Sequence, residues 1–303
     1  MHMNRSRALA LFASATSLAA LSACGGSASS DATGKSVAIG SKDFTEELIL
    51  GEMYAAILEK NGFTVTRKLD LGGTQVALAA LRRGDIDLYP EYTGTALVTE
   101  LKAKPSKDAA ANYATVKKFY ATHYGLTWLA AAPFNDTQAL ATTRALAAKY
   151  SLKSLSDLAK AAPQLRLGAI PEFTKREDAL PGLQKAYGGF AFKDIKLFDI
   201  GLKYKALESG QVDVVVAFGT DGQIEVDKLY VFVDDKHFWP SYQVAPVVRQ
   251  GTLARYPAIA TLLDGLSPLL TDGVMRGLNA QVDGEKREPK AVALDFLKAH
   301  GLA

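Results

Sequence analysis

Short apolar runs alternate with amphipathic helical stretches along most of this chain, and this alternation restricts the fold more than any other feature of the sequence. Asp43 and Glu46 match a capping box at the start of a helix whose apolar stripe begins with Leu48, Ile49 and Met53. The first unit has strands at 37–39, 64–66 and 86–88, with helices from 43 to 61 and at 74–83. Since strands that alternate with helices pack side by side, the unit predicts a parallel α/β sheet.

The rest of the chain repeats this pattern. Strand-like runs occur at 125–134, 165–173, 212–222 and 240–249, and helical stretches at 142–149, 155–162, 182–187 and 204–210, before amphipathic helices at the C-terminal end. Polar or aromatic residues follow the strands at 41–42, 89–95, 135–138, 173–176, 218–221 and 238–242. Because ligands of open α/β sheets bind beyond the carboxyl ends of the strands, we expect a cleft assembled from two lobes.

One of these strand ends, "GDIDLYPEYTG" at 84–94, carries two tyrosines within four positions. We expect Tyr89 to be structural, because side-chain alternation from Leu88 turns it away from the loop that holds Tyr92. Pro90 is expected to fix a bend beside it. Tyr92 is therefore the ring that we expect to face a ligand.

The N-terminal segment has the layout of a secretory signal peptide over residues 1–23, with Arg5 and Arg7 before an apolar run at 8–21. The small residues that precede Cys24, the only cysteine, resemble a bacterial lipobox. By that resemblance Cys24 would be the first mature residue and would carry the lipid. The alternative is an ordinary signal peptide with an unrelated cysteine. Residues 24–35 are small and polar, which predicts a flexible tether.

Charge and motifs argue against several classes of function. The chain has 35 Lys and Arg against 32 Asp and Glu, a formal net charge of +3, so we expect no nucleic-acid surface and no polybasic membrane patch. His123, His237 and His300 lack the spacing of metal ligands. G-x-S-x-G, Walker A and G-x-G-x-x-G motifs are absent from the sequence. We therefore expect no metal, no cofactor and no catalysis.

Several stretches of the sequence resemble the osmoprotectant-binding proteins of ABC importers, which bind glycine betaine, choline and related quaternary amines. The stretches are "IGSKDFTEELILGEMYAAILEKNG", "LGGTQVALAALRRGDIDLYPEYTGTAL", "AFGTDGQI", "DDKHFWPSYQVAPVV" and "LNAQVDGEKREPKAVALDFLKAHGL". They follow in order from about Val37 to Leu302. The resemblance extends over nearly the whole predicted globular part.

This resemblance implies a type II periplasmic-binding fold, in which two α/β lobes joined by two hinge strands close on a ligand. We expect lobe 1 to comprise 36–131 and 243–303, and lobe 2 to comprise 132–242. The family also implies a monomer that is exported, anchored to the membrane through Cys24, and delivers a small quaternary amine to a permease driven by a separate ATPase.

The resemblance further implies an aromatic cage for the ligand's cation. A trimethylammonium group has no N–H to donate, whereas aromatic faces attract it through their quadrupole. The four cage positions fall at Tyr92, Gln138, Phe218 and Tyr242 in this sequence. Gln138 departs from the family, where tyrosine is usual, so the preferred ligand could be hydroxylated, bulkier or not a simple betaine.

By the same resemblance, the carboxylate of a betaine would contact Lys42, Thr95 and Arg176. A guanidinium binds a carboxylate through two parallel hydrogen bonds, and lysine adds a point charge. Asp136 would place a negative charge beside the cation. Phe238 and Trp239 are expected to pack at the hinge or to line the rim of the cleft.

Two alternatives stay open at this point. The same fold could bind a different small polar ligand, because Gln138 replaces a cage tyrosine. The chain could also be a lipid-anchored scaffold or sensor partner that has no ligand of its own. Retention of Tyr92, Phe218 and Tyr242 favours a ligand-binding protein over the scaffold.

Overall fold

Two five-stranded sheets, each covered by helices, organise the protein in the computed structural model, which describes residues 34–303. The predicted signal peptide, Cys24 and nearly all of the predicted tether lie outside these described residues. The strands are β1 (Lys35–Gly40), β2 (Phe63–Lys68), β3 (Leu88–Tyr92), β4 (Leu126–Trp128), β5 (Gln138–Thr142), β6 (Arg166–Ala169), β7 (Asp194–Leu197), β8 (Val214–Phe218), β9 (Tyr230–Val231) and β10 (Val244–Arg249).

Helices connect these strands at the predicted positions and also at 93–99, 109–124 and 222–226, where the sequence pattern predicted none. They are α1 (Thr45–Lys60), α2 (Thr74–Arg83), α3 (Thr93–Thr99), α4 (Ala109–Tyr124), α5 (Arg144–Lys149), α6 (Leu155–Ala161), α7 (Leu180–Tyr187), α8 (Lys203–Glu208), α9 (Gly222–Val226), α10 (Gln250–Arg255), α11 (Ala258–Asp264), α12 (Asp272–Asp283) and α13 (Pro289–Ala299). Short 3-10 turns occur at Ala162–Gln164, Pro171–Thr174 and Ser267–Leu269.

The first sheet has the strand order β2-β1-β3-β10-β4. β1 pairs in parallel with both β2 and β3, which confirms the parallel βαβαβ unit predicted at the start of the globular part. β10 runs antiparallel to β3 and β4, so the whole sheet is mixed rather than parallel. The reason is topological, because β10 enters this sheet on the way back from the second one.

The second sheet has the order β7-β6-β8-β5-β9. β6 is parallel to β7 and β8, whereas β5 is antiparallel to β8 and β9. The sequence pattern did not predict β5, since the short run "QALAT" follows a polar loop and carries small alanines. β5 to β9 therefore belong to one sheet and the other five strands to the first, while the lobe limits expected from the sequence stay a prediction.

The bend expected at Tyr89 and Pro90 is not formed, because β3 continues straight through both residues to Tyr92. Pro90 lies opposite Pro246 of β10 in the antiparallel register. Neither proline has an N–H, so they occupy a pair of positions that exchange no hydrogen bonds, where proline does not interrupt a ladder. Tyr89 is fully buried, and its hydroxyl donates to Glu91 Oε2 at 2.5 Å.

The predicted capping box of α1 is also wrong. Phe44 is the N-cap residue, and no side chain caps the helix there. Glu46 turns away from the helix terminus because its carboxylate accepts hydrogen bonds from Tyr92 and Thr220 instead. The neighbouring Glu47 accepts from the backbone N–H of Lys42 at 2.9 Å, which ties the helix to the strand end before it.

Apolar packing against both faces of the first sheet surrounds the strand ends that matter for function. On one face α1 contributes Ile49, Leu50 and Met53, which are fully buried against α12 and α13.

In residues 34–303 no single helix has both the length and the apolar composition to cross a membrane. The segments Ala258–Leu269 and Asp272–Asp283 meet these two criteria only when they are taken as one, and the chain bends by 92° between them.

Candidate functional site

A cavity of about 190 Å³ lies among residues contributed by both sheets. Its walls include all eight side chains that the sequence predicts to bind ligand, namely Lys42, Tyr92, Thr95, Asp136, Gln138, Arg176, Phe218 and Tyr242. This volume is below the roughly 300–1,000 Å³ of pockets that take drug-sized molecules, so the cavity suits a small ligand. Their placement around one cavity is observed, whereas their binding roles stay a prediction.

Strand ends position the principal side chains of the cavity. Tyr92 is the last residue of β3, Phe218 is the last of β8, and Gln138 is the first of β5. Gln138 and Phe218 are directly paired in the antiparallel register, so their side chains lie side by side on one face of the second sheet. Tyr242 lies two residues before β10, and its backbone N–H donates to Asn135 Oδ1 at 2.7 Å.

Three aromatic rings cluster on one side of the cavity. The Phe44 ring centre lies 6.1 Å from that of Tyr92 and 6.4 Å from that of Phe218. Sequence reasoning missed Phe44, because a single aromatic residue at a helix start is indistinguishable from a packing residue. The signal that could have found it is its position two residues after Lys42, the residue of that loop predicted to bind ligand. Phe44 thus adds an aromatic ring to the cavity wall.

Two buried carboxyl groups adjoin these rings. Glu46 Oε1 accepts from the Tyr92 hydroxyl at 2.7 Å, and Glu46 Oε2 lies 2.6 Å from Thr220 Oγ1. Asp136 Oδ1 lies 2.7 Å from the same Thr220 hydroxyl and also accepts from the Thr220 N–H at 3.2 Å. Glu46 belongs to α1, and Thr220 follows β8, so this contact joins residues that pack with different sheets.

Burial dominates the electrostatics of this group. It raises the pKa of Glu46 to about 7, against hydrogen bonds from Thr220, Tyr92 and Asn279 that lower it. Burial, followed by the negative charge of Glu46, raises the pKa of Asp136 well above its usual range. The pKa of the Tyr92 hydroxyl is raised by burial and then by Glu46, so this tyrosine stays neutral. The ring side of the cavity therefore resists carrying two negative charges.

A second cluster centres on Asp178, which sequence reasoning also missed. Arg176 donates to Asp178 from Nε at 2.8 Å and from Nη2 at 2.5 Å. Asp178 Oδ2 also accepts from the Tyr242 hydroxyl at 2.6 Å and from Gln138 Nε2 at 2.9 Å. The spacing of Arg176 and Asp178 in "KRED" was a weak signal for this pair, since such neighbours are usually solvated on a surface. The guanidinium expected to bind a ligand is thus already neutralised.

The orientation of the Gln138 amide follows from these contacts. Its nitrogen faces the backbone oxygen and a carboxylate oxygen of Asp178, both at 2.9 Å, and both can only accept. The amide oxygen therefore points away from Asp178, and within residues 34–303 it has no hydrogen-bond donor. Because the Gln138 side chain lines the cavity, this oxygen is an acceptor available to a small molecule.

Lys42 is buried rather than solvated, with 4% of its surface exposed. Its Nζ lies 2.6 Å from Glu91 Oε1, 3.8 Å from Glu47 Oε1 and 4.8 Å from the Tyr92 ring centre. Thr95 also lines the cavity, from the first turn of α3. Both lysine and arginine therefore reach the cavity with carboxylate partners of their own.

A larger cavity, of about 480 Å³, lies between the segments 102–107 and 237–240, and Asp178 also lines it. Phe238 and Trp239 line it, and Trp239 Nε1 donates to the Asp178 backbone oxygen at 2.8 Å. Its other walls include three exposed lysines, Lys102, Lys104 and Lys107, and we assign the site to the smaller cavity, where buried charges and rings converge. Among the described side chains no group of three or more His, Cys, Asp or Glu is arranged to hold a metal ion.

Two mixed sheets, between which the chain crosses once before β5 and once before β10, and a cavity lined from both define a type II periplasmic binding protein. Residues 35–299 match the model of the substrate binding domain of ABC-type glycine betaine transport systems, and the chain belongs to this family. Both the predicted fold and the predicted family are therefore confirmed.

Individual relatives agree with this assignment. The ergothioneine transport permease/ergothioneine binding protein EgtU of Helicobacter pylori (strain G27) is 39% identical over 269 residues, which cover 88% of this chain and 48% of that protein, so the chain spans about half of that relative. A glycine-betaine-binding protein of Pseudomonas aeruginosa is 39% identical over 281 residues, 89% of this chain and 90% of that protein. A crystal structure of a glycine betaine/carnitine/choline ABC transporter matches with a TM-score of 0.72 and 31% identity, covering 89% of this chain and 99% of that one. These relatives are transport proteins rather than enzymes.

Proposed function

We propose that this protein captures a small betaine outside the cytoplasm and delivers it to the permease of an ABC importer, without catalysis. The observation that carries the proposal is the cavity in which three aromatic rings and a buried acid pair adjoin a neutralised arginine. Membership of the glycine betaine family supports the class of ligand and the class of partner.

Four aromatic residues that line the cavity are proposed to hold the quaternary ammonium group of the ligand, namely Phe44, Tyr92, Phe218 and Tyr242. Each ring face contributes roughly 0.5 to 2 kcal/mol to a desolvated cation. Asp136 lines the cavity next to these rings and supplies the negative charge that a permanent cation needs in a buried place. In this proposal Phe44 takes the part of the cage ring that is absent at Gln138.

Arg176 is proposed to bind the ligand's carboxylate. A guanidinium has five N–H donors, and Asp178 accepts from two of its nitrogens, Nε and Nη2. Three N–H groups remain for a ligand. Because Asp178 already neutralises the arginine, the selectivity for a carboxylate comes from directed hydrogen bonds more than from net charge.

The available oxygen of Gln138 favours a betaine that also carries an N–H or O–H donor. Glycine betaine has no such donor, whereas carnitine has a hydroxyl and ergothioneine, a histidine betaine, has ring N–H groups. The relative from Helicobacter pylori carries ergothioneine in its name, and it is 39% identical to this chain. We therefore propose a donor-bearing betaine as the preferred ligand.

Isothermal titration calorimetry with glycine betaine, choline, carnitine and ergothioneine tests two claims: that the protein binds betaines, and that it prefers a betaine with an N–H or O–H donor. We expect every betaine to bind, and the donor-bearing ones to bind about tenfold more tightly than glycine betaine, or ~1.4 kcal/mol. Equal affinities would contradict the role of Gln138. Failure of all four compounds to bind would favour the scaffold alternative.

The proposed route of delivery begins with export and with a lipid on Cys24. In cells, replacement of Cys24 by alanine should move the protein from the membrane fraction to the soluble extracytoplasmic fraction, since a lipid chain is the anchor. A variant that stays with the membrane would contradict anchoring through this residue.

We propose that the protein works as a monomer and that ligand contacts from both lobes stabilise the closed form that the permease recognises.

A further inference from the structure

The Thr220 hydroxyl lies between two carboxyl groups and has too few hydrogen atoms for both. Thr220 Oγ1 is 2.6 Å from Glu46 Oε2 and 2.7 Å from Asp136 Oδ1, and both distances are those of hydrogen bonds. A hydroxyl carries one hydrogen and can satisfy one of two ionised carboxylates. The second short contact therefore needs a proton on one of the acids, which then donates to the hydroxyl oxygen.

The surroundings of the pair also oppose a second negative charge. Glu46 is 2% exposed and Asp136 is 6% exposed. The charged and titratable groups that face the pair from the packed elements are Asp43, Tyr54, Tyr92, Lys203, Tyr204, Asp221 and Asp283. Lys203 lies 3.3 Å from Asp221 Oδ2. Two further cations are near: Lys42 of the same cavity lies 2.6 Å from Glu91 Oε1, and Arg276 of α12 donates to the Gly219 backbone oxygen at 3.2 Å. Each of these cations has an acceptor other than the pair, so none is paired with a second carboxylate there.

A quaternary ammonium ion would change this balance. Asp136 lines the cavity beside Tyr92 and Phe218, so a cation held by these rings lies next to the pair. An opposite charge within a few ångströms favours the ionised form of a carboxyl group. The cation and the shared proton thus compete for the same negative site.

We propose that Glu46 and Asp136 share one proton while the cavity is empty, and that the pair releases this proton when a quaternary ammonium ligand binds. The inference rests on the proposed binding of a betaine. The O–H bond of the protonated acid breaks, its electron pair stays on the carboxylate, and the proton passes to the solvent. Ligand capture is then coupled to pH, with tighter binding at higher pH.

Calorimetry with glycine betaine measures the release directly, because this compound does not titrate between about pH 5 and pH 8. Titrations at about pH 6 in phosphate and in Bis-Tris, two buffers of different ionisation enthalpy, should show about one proton released per ligand bound. The affinity should rise by up to about tenfold per pH unit below the pKa of the pair. Binding without a proton would overturn this inference and leave the proposed function standing.

Two variants locate the proton. The double variant Glu46→Gln, Asp136→Asn removes both acids, so the proton release and the pH dependence should both vanish. Glu172→Gln makes the same kind of chemical change at another wall of the cavity and should keep the release. Loss of the release in Glu172→Gln, or its persistence in the double variant, would overturn the assignment.

A ligand-free measurement separates this inference from the proposed function. In the unliganded wild-type protein, ¹³C NMR of the Asp and Glu side-chain carboxyls should show, below about pH 7, a protonated carboxyl that disappears from the spectrum of the double variant Glu46→Gln, Asp136→Asn. The raised pKa of Glu47 predicts a second protonated carboxyl in both spectra. If both spectra contain the same protonated carboxyls, the shared proton does not exist. If the NMR signal is present and glycine betaine does not bind, the proposed ligand class and the exchange of proton for cation are overturned, and the shared proton alone is retained.

Discussion

At the cavity, Gln138 occupies the position where the family resemblance implies a tyrosine, and its contacts show what the amide does there instead. The amide nitrogen donates to Asp178 and lies 3.0 Å from the Tyr242 hydroxyl. A tyrosine there would lose these bonds and leave Asp178 with fewer donors. Phe44 stands beside Tyr92 and Phe218, so a ring that the sequence did not point to lies at the cavity together with the amide of Gln138.

The ring of Tyr92 supports a prediction at this scale. Tyr92→Ala should lower the affinity for glycine betaine about tenfold or more, ~1.4 kcal/mol, because one face of the cage is lost. Tyr256→Ala is a matched control, since Tyr256 packs edge-on against Phe63 away from the cavity. Calorimetry that gave the same affinity for Tyr92→Ala and the wild type would show that this ring is not part of the cage.

Arg176 allows a second residue-scale prediction. Arg176→Ala should weaken glycine betaine more than choline, because only the former has a carboxylate for the guanidinium. The variant also exposes the ligand to the unpaired charge of Asp178, so the double variant with Asp178→Asn should recover part of the lost betaine affinity. Equal losses for the two ligands in competition binding would contradict a carboxylate-binding role.

At the scale of elements, one buried ion pair connects the loop before α1 with β3. Lys42 and Glu91 are both nearly inaccessible, and their charges lie 2.6 Å apart. Removing one partner of a buried pair leaves the other uncompensated, whereas removing both is less costly. The pair is therefore a structural connection as well as part of the cavity wall.

We expect Lys42→Met to lower the free energy of unfolding by about 3–5 kcal/mol, and the double variant with Glu91→Gln to lose clearly less. Urea unfolding monitored by circular dichroism measures both. Arg83→Met, which breaks the exposed pair with Asp85, should cost less than about 1 kcal/mol. A double variant as unstable as Lys42→Met would mean that the lysine stabilises the fold by packing rather than by charge.

At the scale of the whole molecule, buried acids tie stability to pH. Burial raises the pKa of Glu46 to about 7 and that of Glu47 to about 8, from an ordinary value of 4.5. Between the ordinary pKa of 4.5 and the raised values of about 7 and about 8, the folded protein binds more protons than the unfolded chain. Its free energy of unfolding therefore falls as the pH rises through this range. Some acids have a lowered pKa, such as Asp213 beside Arg166, and these stabilise the folded protein at neutral pH. This stabilisation is lost only when the pH falls below their ordinary pKa.

The ligand-free protein should therefore be most stable near about pH 5 and should lose on the order of a few kcal/mol, or several degrees in Tm, by about pH 8. Thermal unfolding across this range measures the slope. Glu46→Gln should flatten it, whereas Glu225→Gln, an exposed change of the same kind, should not. A wild-type Tm that rises from pH 5 to pH 8 would contradict the raised pKa values.

Much of the fold was predictable from local patterns. The βαβαβ unit follows from apolar runs and helix periodicity, which depend on neighbours a few residues apart. Strand β5 was not predictable in this way, because its alanines give little local indication of a strand. It forms by pairing with β8, Val214–Phe218, which lies far along the chain. The straight course of β3 through Pro90 depends likewise on Pro246, far along the chain.

The sequence by itself determined the α/β class, the family and the eight residues that meet around the cavity. Only the tertiary structure decided what those residues contact. Asp136 and Glu46 are 90 positions apart in the chain, and Thr220 stands between their side chains only after both sheets are assembled. Hydrogen-bond geometry and desolvation act through space, so the pairing of Arg176 with a buried acid, the ring of Phe44 and the proton shared by two carboxyls had no local signature in the sequence.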